Sequence, residues 1–442
     1  MDVELQVLKH LARDPQPTAL VIDNYCQSYK DLFKEVRNYE YFKYLHLGIV
    51  SPIKRKSLPE IAKVVGLKSA QSLHHFIANS PWSVKELKKR RLEKIKKTLA
   101  GVAITVVIDE TGDRKKGKKT DYVARQYLGS IGKIDNGIVS VNGYGVYQNI
   151  TFPLVVKIFK PRGTLKPEEH YKTKIELASE IIEELMAQGW KIELVLADSL
   201  YGESNEFIRT LEQNKLSYAV AIRSNHGVWM QSHQRVRANR WCKFTRTFSN
   251  QKSETRYIRE IVYGKRRAIT YWEITTDPKT MPENATSFVM TNLTGNLKKI
   301  LGDLYGARTW VEYAFRQCKQ ELGWTDYRFT KFKDIEKWWE IIFSVYTMIS
   351  LNSPAFVSLN QSSEVASLDT DTDNVQVSNH QQWNHEDGWK SMLNNLRLLI
   401  QPIMMLWLIL PWLDILPNAK LLLGLNQLIS DINQFQPFFS SG

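Results

Sequence analysis

Two short apolar runs constrain the fold of this 442-residue chain more than any other feature. Residues 102–108 read Val-Ala-Ile-Thr-Val-Val-Ile, and residues 192–197 read Ile-Glu-Leu-Val-Leu-Ala. Such runs, with little polar alternation, are typical of strands buried on both faces of a sheet. Around them we predict further strands near 138–147, 151–159 and 218–222, and helices near 172–187 and 203–213. Interleaved strands and helices indicate an α/β sheet domain over about 101–350.

Composition divides the rest of the chain into regions of different kinds. Residues 223–275 hold twelve basic and three acidic residues, with aromatic residues between them and the alternation of antiparallel strands. Residues 355–390 are polar and without periodicity, which is typical of a loop. The predicted regions are a helical domain at 1–100, the α/β domain at 101–222 and 286–352, a β-rich basic insertion at 223–285, a polar flexible loop at 355–390 and apolar C-terminal helices at 391–442.

The net charge indicates a polyanionic partner. The chain has 60 Lys and Arg against 46 Asp and Glu, a formal charge of +14. From Pro354 onward it holds only three basic residues against eight acidic ones, so the rest carries about +19. A basic body of this kind is typical of proteins that bind nucleic acid. A soluble basic protein without such a partner is the alternative.

Several classes of protein are excluded. Cys26, Cys242 and Cys318 lie far apart, which rules out a disulfide framework and a zinc ribbon. The first residues, Met-Asp-Val-Glu-Leu, lack the basic and apolar segments of a signal peptide. Residues 398–416 are strongly apolar but contain two prolines and two polar residues, so we predict a buried helical pair packed on the α/β domain and no membrane span. We therefore expect a cytoplasmic protein.

The N-terminal region contains a possible helix-turn-helix at 57–77. In that motif the second helix enters the major groove, which would bring Lys68, Gln71 and His74 near base edges. An ordinary helical hairpin is the alternative. Residues 85–97 follow, with eight basic residues of thirteen, and predict a helix with a solvated basic face.

Two aspartates follow the two buried runs. Asp109 comes directly after Ile108, and Asp198 comes directly after Ala197. Carboxylates in this position lie at the carboxyl edge of the sheet, where α/β proteins bind ligands. If the two strands are neighbours, the carboxylates converge and repel each other, and Mg²⁺ would relieve that repulsion. A helix cap or a turn is the alternative for each aspartate alone.

A third carboxylate lies on a predicted helix at 305–319. At 100° per residue, one face of that helix carries a carboxylate, cations and a phenol within about 60° of arc. The members of this face are Tyr305, Arg308, Glu312 and Lys319, with Arg316 just beside them. A ladder of surface ion pairs is the alternative. Beside two aspartates, the face is instead typical of a metal ligand flanked by phosphate-binding groups.

These residues resemble a known family. Asp109, Asp198 and the spacing Tyr-x2-Arg-x3-Glu-x6-Lys at 305–319 are similar to the DDE transposases of bacterial insertion sequences, in the RNase H-like branch with that signature. The segment 113–119, followed by Val-Ala-Arg-Gln-Tyr-Leu-Gly at 123–129, also resembles that branch. Glu321 is a further carboxylate nearby, but the signature and the flanking cations favour Glu312.

The resemblance implies an RNase H-like catalytic domain split by the β-rich insertion, with a DNA-binding helical domain before it. Family members cut double-stranded DNA at terminal inverted repeats and join the freed 3′-OH ends to target DNA, as homodimers on paired ends. They need Mg²⁺ or Mn²⁺. Asp109, Asp198 and Glu312 would hold two ions per active site. We expect a nucleoid-associated location.

The resemblance also supplies candidates for DNA contact. The cations on the helix and those after the first aspartate would bind phosphates, and a tryptophan would stack on a flipped base. These candidates are Tyr305, Arg308, Arg316, Lys319, Arg114, Lys115, Lys116, Lys118, Lys119, Trp229, Trp241 and Trp272. Three alternatives stay open: an RNase H-like nuclease without strand transfer, a catalytically inactive DNA-binding relative, and a basic structural α/β protein.

Overall fold

The computed structural model describes residues 13–248, 252–366 and 377–434, and these residues divide between two compact units. Ala100–Phe315 form the first, which we call the sheet unit. Met1–Leu99 and Arg316–Gly442 form the second, which we call the helical unit. Residues 316–352 therefore belong to the helical unit, although the sequence pattern grouped them with the α/β domain.

The described part of the chain contains fourteen α-helices. They are α1 (Leu20–Gln27), α2 (Val36–Val50), α3 (Leu58–Val64), α4 (Gln71–Ala78), α5 (Val84–Thr98), α6 (Lys174–Ala187), α7 (Ser199–Gly202), α8 (Asn205–Gln213), α9 (Leu301–Gly306), α10 (Arg308–Gln320), α11 (Phe332–Leu351), α12 (Ser353–Ala366), α13 (Trp389–Leu413) and α14 (Ala419–Gln434).

Eleven described strands of the sheet unit form one sheet. They are β1 (Ile104–Arg114), β2 (Ala124–Leu128), β3 (Lys133–Tyr147), β4 (Ile150–Phe159), β5 (Ile192–Ala197), β6 (Tyr218–Ile222), β7 (Val236–Ala238), β8 (Cys242–Thr247), β9 (Ser253–Tyr263), β10 (Thr270–Thr275) and β11 (Ser287–Thr291). The predicted α/β class is confirmed.

The strand order places the first apolar run in the interior of the sheet, with a strand on each side of it. The order is β2-β3-β1-β5-β6-β11-β10-β9-β7, with β4 beside β3 and β8 beside β9. β5 runs parallel to β1, and β6 runs parallel to β5, whereas the other neighbours are antiparallel. Ile104, Val106, Val107 and Ile108 are fully buried, as expected for a strand covered on both faces.

Helix α6 shows how local sequence sets an element boundary. Thr173 precedes it and forms a capping box: the Thr173 side chain accepts the Glu176 N–H at 3.1 Å, and the Glu176 carboxylate accepts the Thr173 N–H at 2.6 Å. The helix therefore begins at Lys174 rather than at the predicted residue 172. Its buried face, which includes Ile181 and Leu185, packs against β3 and β4.

Residues 223–285 are continuous with the rest of the sheet. They supply β7 to β10, and β10 pairs with β11, which in turn pairs with β6. The sheet thus extends through the insertion without a break in hydrogen bonding. The aromatic side chains differ in burial, since Trp272 on β10 is 5% exposed whereas Trp229, in the irregular segment before β7, is 75% exposed.

The helical unit packs around α2 and α11. The basic run lies on α5, where Leu87, Leu92 and Ile95 are buried and most of the lysines lie outside the core. Arg91 is an exception among the cations: it is fully buried and its Nε donates to Glu340 Oε1 on α11 at 2.6 Å. The helix therefore has an ion pair at the centre of its buried face.

Two predictions for the C-terminal third are wrong. The polar segment from 355 begins as helix α12, with Ala355 and Phe356 buried, while 367–376 lie outside the described residues. The apolar segment 398–416 is not a helical pair: α13 runs through both prolines as one helix. It packs on α2, α3 and α11, the last of which lies within the segment 286–352 of the predicted α/β domain, and its second half is largely exposed.

Among the described residues, two helical stretches are long and apolar enough to cross a membrane by length and composition alone. Phe332–Asn360 has a mean hydropathy of 1.4, and 67% of its most apolar window is buried, as expected of a core helix. Trp389–Leu413 has a mean hydropathy of 1.7 and is 28% buried. Its exposed residues include Leu408 and Trp412.

Candidate active site

Asp109 and Asp198 leave neighbouring strands at the same level. The parallel pairing of β1 with β5 ends at Ile108 and Ala197, and the two aspartates are the next residues of their strands. The sequence predicted that the strand ends just before Asp109, but β1 continues to Arg114 because its last residues pair with β3. The two carboxylates nevertheless meet at one edge of the parallel pair.

Asp198 also caps a helix. Its Oδ1 accepts the Leu200 N–H at 2.9 Å at the start of the short helix α7. Asp198 is therefore both a helix cap, which was the alternative reading of this residue, and a neighbour of Asp109. The cap leaves the second carboxylate oxygen, Oδ2, outside that hydrogen bond.

Gly202, at the end of α7, fixes how closely this turn approaches the sheet. A Cβ at this position would lie 2.0 Å from the Ala221 carbonyl oxygen. We expect Gly202→Ala to lower the free energy of unfolding by about 1–3 kcal/mol, because α7 must move off β6. Urea denaturation would measure the change. Gly163→Ala is the control, since its Cβ meets nothing within 4 Å, and an equal loss there would contradict the argument.

The signature segment is two helices rather than one. α9 ends at Gly306 and α10 begins at Arg308, so Tyr305 and Glu312 lie on different helices. Arg308 Nη1 lies 3.6 Å from Asp109 Oδ2, and its Nη2 donates to Glu312 Oε1 at 2.9 Å. Arg308 therefore connects the carboxylate of the sheet with the carboxylate of the helix.

The electrostatics of this cluster are dominated by burial. Burial raises the pKa of Asp109 to about 7; Arg308 lowers it, and Asp198 and Glu312 raise it. Burial also raises the pKa of Tyr305. Burial lowers the pKa of Arg308, but the surrounding acidic groups, led by Tyr305 and Asp109, outweigh it and the pKa lies above its ordinary range. The site thus combines one buried carboxylate, Asp109, with two more exposed ones and the compensating guanidinium of Arg308.

The donor set fits a hard divalent cation. Three carboxylates supply the oxygen ligands that Mg²⁺ prefers, and a second positive charge would offset the burial, and to a smaller extent the repulsion, that raise the pKa of Asp109. Within the described ranges, no group of three acidic, His or Cys side chains is arranged to hold an ion. Glu312 instead pairs with Arg308, and its side chain is 53% exposed.

Arg246 is a residue that sequence reasoning missed. It comes from β8 and is 7% exposed, and its Nη2 donates to Thr309 Oγ1 at 2.6 Å and to the Gly306 carbonyl at 3.3 Å. A Cβ on Gly306 would lie 2.9 Å from Arg246 Nε. Arg246 therefore holds the junction between α9 and α10. Its separation of about sixty residues from that junction left no local signal in the sequence.

Tyr201 is a second missed residue. It is fully buried, and within the described structure its hydroxyl has no hydrogen-bond partner. Burial raises its pKa well above the ordinary value, and Glu110, Asp109 and Asp198 raise it further. It follows Asp198 by three residues, and this closeness to a candidate ligand is the one signal that the sequence contains for it.

In the predicted phosphate-binding segment 114–119, the first two cations form ion pairs within the protein. Arg114 Nε lies 2.8 Å from Asp135 Oδ2, and Lys115 Nζ lies 2.6 Å from an oxygen of Asp113. The remaining members are exposed; they are Lys116, Lys118 and Lys119. The exposed lysines are therefore better placed for a DNA strand than the first two cations.

The three candidate tryptophans differ in access. Trp229 is 75% exposed. Trp241 is partly exposed, with the Arg259 guanidinium 4.3 Å from its ring centroid. Trp272 is buried, and its Nε1 donates to Thr270 Oγ1 at 2.8 Å, so the structure contradicts its assignment to base stacking. Pattern alone could not tell which face of β10 turns inward.

The remaining predicted residues lie in the helical unit. Arg316 is exposed and Lys319 half-buried, both on α10. Glu321 is ion-paired with Lys390 at 2.5 Å and Arg397 at 3.2 Å, which accounts for this extra carboxylate structurally. The possible helix-turn-helix corresponds to α3 and α4, separated by Gly66 in a left-handed conformation. The three residues predicted to reach bases are exposed there: Lys68, Gln71 and His74.

Comparison with known proteins first defines the class. The DDE superfamily endonuclease family matches residues 31–253, and the transposase DDE domain family matches residues 171–348. The chain therefore carries a DDE nuclease domain, a class that uses divalent metal ions and acts on DNA.

A relative then defines the family. The probable transposase for insertion sequence element IS701 of Microchaete diplosiphon is 52% identical over 325 residues, which cover 73% of this chain and 86% of the relative. This chain belongs to the DDE transposases of insertion sequences. The resemblance inferred from three motifs is confirmed, as is the prediction that the chain is an enzyme.

Proposed function

We propose that this transposase binds the terminal inverted repeats of its insertion sequence, cleaves the DNA ends and joins the 3′-OH ends to target DNA. The observation that carries the proposal is the contact of Arg308 with both Asp109 and Glu312, at the edge where Asp198 leaves the neighbouring strand. A buried carboxylate with two further carboxylates and cations around it suits phosphodiester chemistry, which needs positioning and charge stabilisation.

We propose an RNase H-like core for the sheet unit. Support comes from β1, β3 and β4, which are consecutive antiparallel neighbours, and from β5 and β6, which follow in parallel to β1. The remaining strands would be the insertion and its return to the core. Residues 1–99 would be the DNA-binding part of the helical unit.

Asp109, Asp198 and Glu312 are the proposed ligands of two Mg²⁺ ions, for which Mn²⁺ could substitute. Bound there, the ions would activate an attacking oxygen and stabilise a leaving one in an in-line displacement at phosphorus. Arg308 would release Glu312 and turn its charge to the phosphate. Tyr305, buried beside Arg308, would hold that guanidinium in place.

The DNA contacts proposed around this site use exposed cations and rings. Lys116, Lys118 and Lys119 would follow the backbone of the strand being cut. Trp229 or Trp241 would stack on a base next to the cut. Further phosphate contacts are proposed for Arg114, Lys115, Arg316 and Lys319. The active species would be a homodimer on paired ends, associated with the nucleoid.

The test uses end-labelled DNA from the flanks of the gene, incubated with the protein and Mg²⁺. Discrete cuts at an inverted-repeat boundary, followed by joining of the 3′ ends to a target plasmid, are the expected result. Cuts without joining would favour a nuclease without strand transfer. Binding without cuts in either Mg²⁺ or Mn²⁺ would favour an inactive relative.

Arg308→Ala is expected to reduce the cleavage rate about 10²-fold while changing DNA affinity less than threefold, because the guanidinium would stabilise charge that develops at the phosphate. Single-turnover cleavage and fluorescence anisotropy give the two quantities. Arg308→Lys, which keeps the charge but not the planar fork, should recover only part of the rate. Equal losses of rate and affinity would contradict this role.

A further inference from the structure

The helical unit contains a cavity of about 490 Å³ that the proposed chemistry does not use. It is bounded by α3, α4 and the irregular segment 326–329 that precedes α11. Small-molecule sites in proteins occupy roughly 300–1,000 Å³. The cavity is thus large enough for one planar ligand with a polar appendage, and its lining shows what kind.

One wall of the cavity is aromatic. The ring of Phe329 lies 5.4 Å from the ring of His74, centroid to centroid, and 6.5 Å from the ring of Tyr327, to which it is nearly parallel at 17°. Trp338 lies behind them at 1% exposure, and its Nε1 is satisfied by the carbonyls of Gly323 and Trp324. Phe329 and Tyr327 are each 8% exposed, so the part of the wall that reaches the cavity is a small aromatic surface, of the kind on which a planar base stacks.

Polar groups stand at the edges of this wall. Gln71 and His74 are exposed side chains of α4 that line the cavity. A glutamine amide offers both a donor and an acceptor, which matches the hydrogen-bonding edge of a base. The predicted recognition helix therefore contributes to the lining of this cavity two of the residues that were predicted to contact bases.

Cations complete the lining. Arg55 and Arg328 are exposed and border the cavity. The two carboxylates of the lining are already engaged, because Glu60 pairs with Lys63 at 2.9 Å and Asp326 accepts the backbone N–H of Lys56 at 2.7 Å. The guanidinium groups are suited to bidentate contact with a phosphate.

We infer that this cavity binds a single unpaired nucleotide, with its base against Phe329, its edge on Gln71 and His74, and its phosphate at Arg55 and Arg328. The same chemistry could come from a free nucleotide or from a DNA strand. Where the nucleotide belongs to a DNA strand, the inference rests on the proposed function. It assigns to the helical unit the recognition of an extruded or single-stranded base, separate from contacts to duplex backbone.

The test compares two fluorescent probes of equal charge on the full chain. One is a decathymidylate, and the other is a ten-residue abasic deoxyribose phosphate strand. We expect the decathymidylate to bind at least tenfold more tightly by anisotropy. In the double variant Gln71→Ala/His74→Ala, the ratio should fall at least fivefold. Both residues are exposed, so the variant should fold, and its unfolding midpoint checks this.

His75→Ala is the matched control, because His75 is exposed on the same helix and does not line the cavity. It should keep the wild-type ratio. Displacement of the probe by thymidine monophosphate in wild type but not in the double variant would show that a free nucleotide suffices. Preference for the strand without such displacement would show that the strand is required. Both outcomes support the site.

Two results would overturn the inference. One is a double variant that keeps the wild-type ratio. The other is a double variant that weakens binding to a 30-base-pair duplex as strongly as binding to the decathymidylate, because the two residues would then read paired DNA. Glu312→Gln should retain the probe preference. If wild type shows the preference but cuts no DNA, the proposed function fails and the nucleotide site stands.

Discussion

Glu312→Gln is expected to abolish cleavage of the end-labelled DNA, with a rate loss of about 10²–10³-fold or more, while DNA affinity stays within twofold. The substitution removes one of three carboxylate charges but leaves the size of the side chain unchanged. Glu312 is 53% exposed and pairs with Arg308, so the change should cost little stability. Single-turnover cleavage and filter binding measure the two effects.

Glu321→Gln is the matched control for that experiment. It makes the same chemical change nine residues further along, in a carboxylate held by Lys390 and Arg397. We expect it to lower the melting temperature and to leave the cleavage rate at low temperature within threefold. If the two variants lose cleavage equally, or if Glu312→Gln cuts at the wild-type rate, the assignment of the acidic cluster is wrong.

Glu340→Ala is expected to destabilise the helical unit by about 3–5 kcal/mol, the largest stability effect that we predict. Glu340 is 3% exposed, and its two oxygens accept hydrogen bonds from Arg91 at 2.6 and 3.2 Å. Its removal takes away the carboxylate that accepts two hydrogen bonds from the buried Arg91 guanidinium, and the loss of that charge is the cause of the destabilisation. Guanidinium chloride unfolding, followed by tryptophan fluorescence, measures it.

The neighbouring ion pair provides the comparison. Arg90 pairs with Asp31, but the two side chains are 31% and 66% exposed, so Arg90→Ala should cost no more than about 1 kcal/mol. The double variant Arg91→Met/Glu340→Met should recover most of the stability, because neither charge is then buried. A loss from Glu340→Ala no greater than that from Arg90→Ala would show that the buried pair is not stabilising as a unit.

The strands that could be predicted from sequence are those whose own residues form an apolar run. Tyr218–Ile222 is an apolar run, and its predicted and observed ends agree. β1 extends past its apolar run because its polar residues pair with β3, a partner that the run does not reveal. The polar composition of the segment from 355 predicts a loop, but Ser353–Ala366 is a helix in which Phe356 is buried.

The three acidic residues could be predicted from sequence, because two strands and one signature indicate them independently. The geometry of these residues could not be predicted. The break at residue 307 depends on a contact that Arg246 makes from a distant strand, and the burial of Trp272 depends on the pairing of β10 with β9 and β11. Spacing along one segment contains no information on such partners, since they are set by the fold of the whole unit.

The position of β11 has a consequence for the order in which the chain folds during its synthesis. β6 is complete at residue 222, but its antiparallel neighbour begins only at Ser287. In a nascent chain, the edge of β6 that will pair with β11 therefore has unpaired N–H and C=O groups while the ribosome adds more than sixty further residues. Unpaired edges of this kind promote aggregation. Truncated products that end before Ser287 should accumulate as insoluble material, whereas those that include β11 can close the sheet.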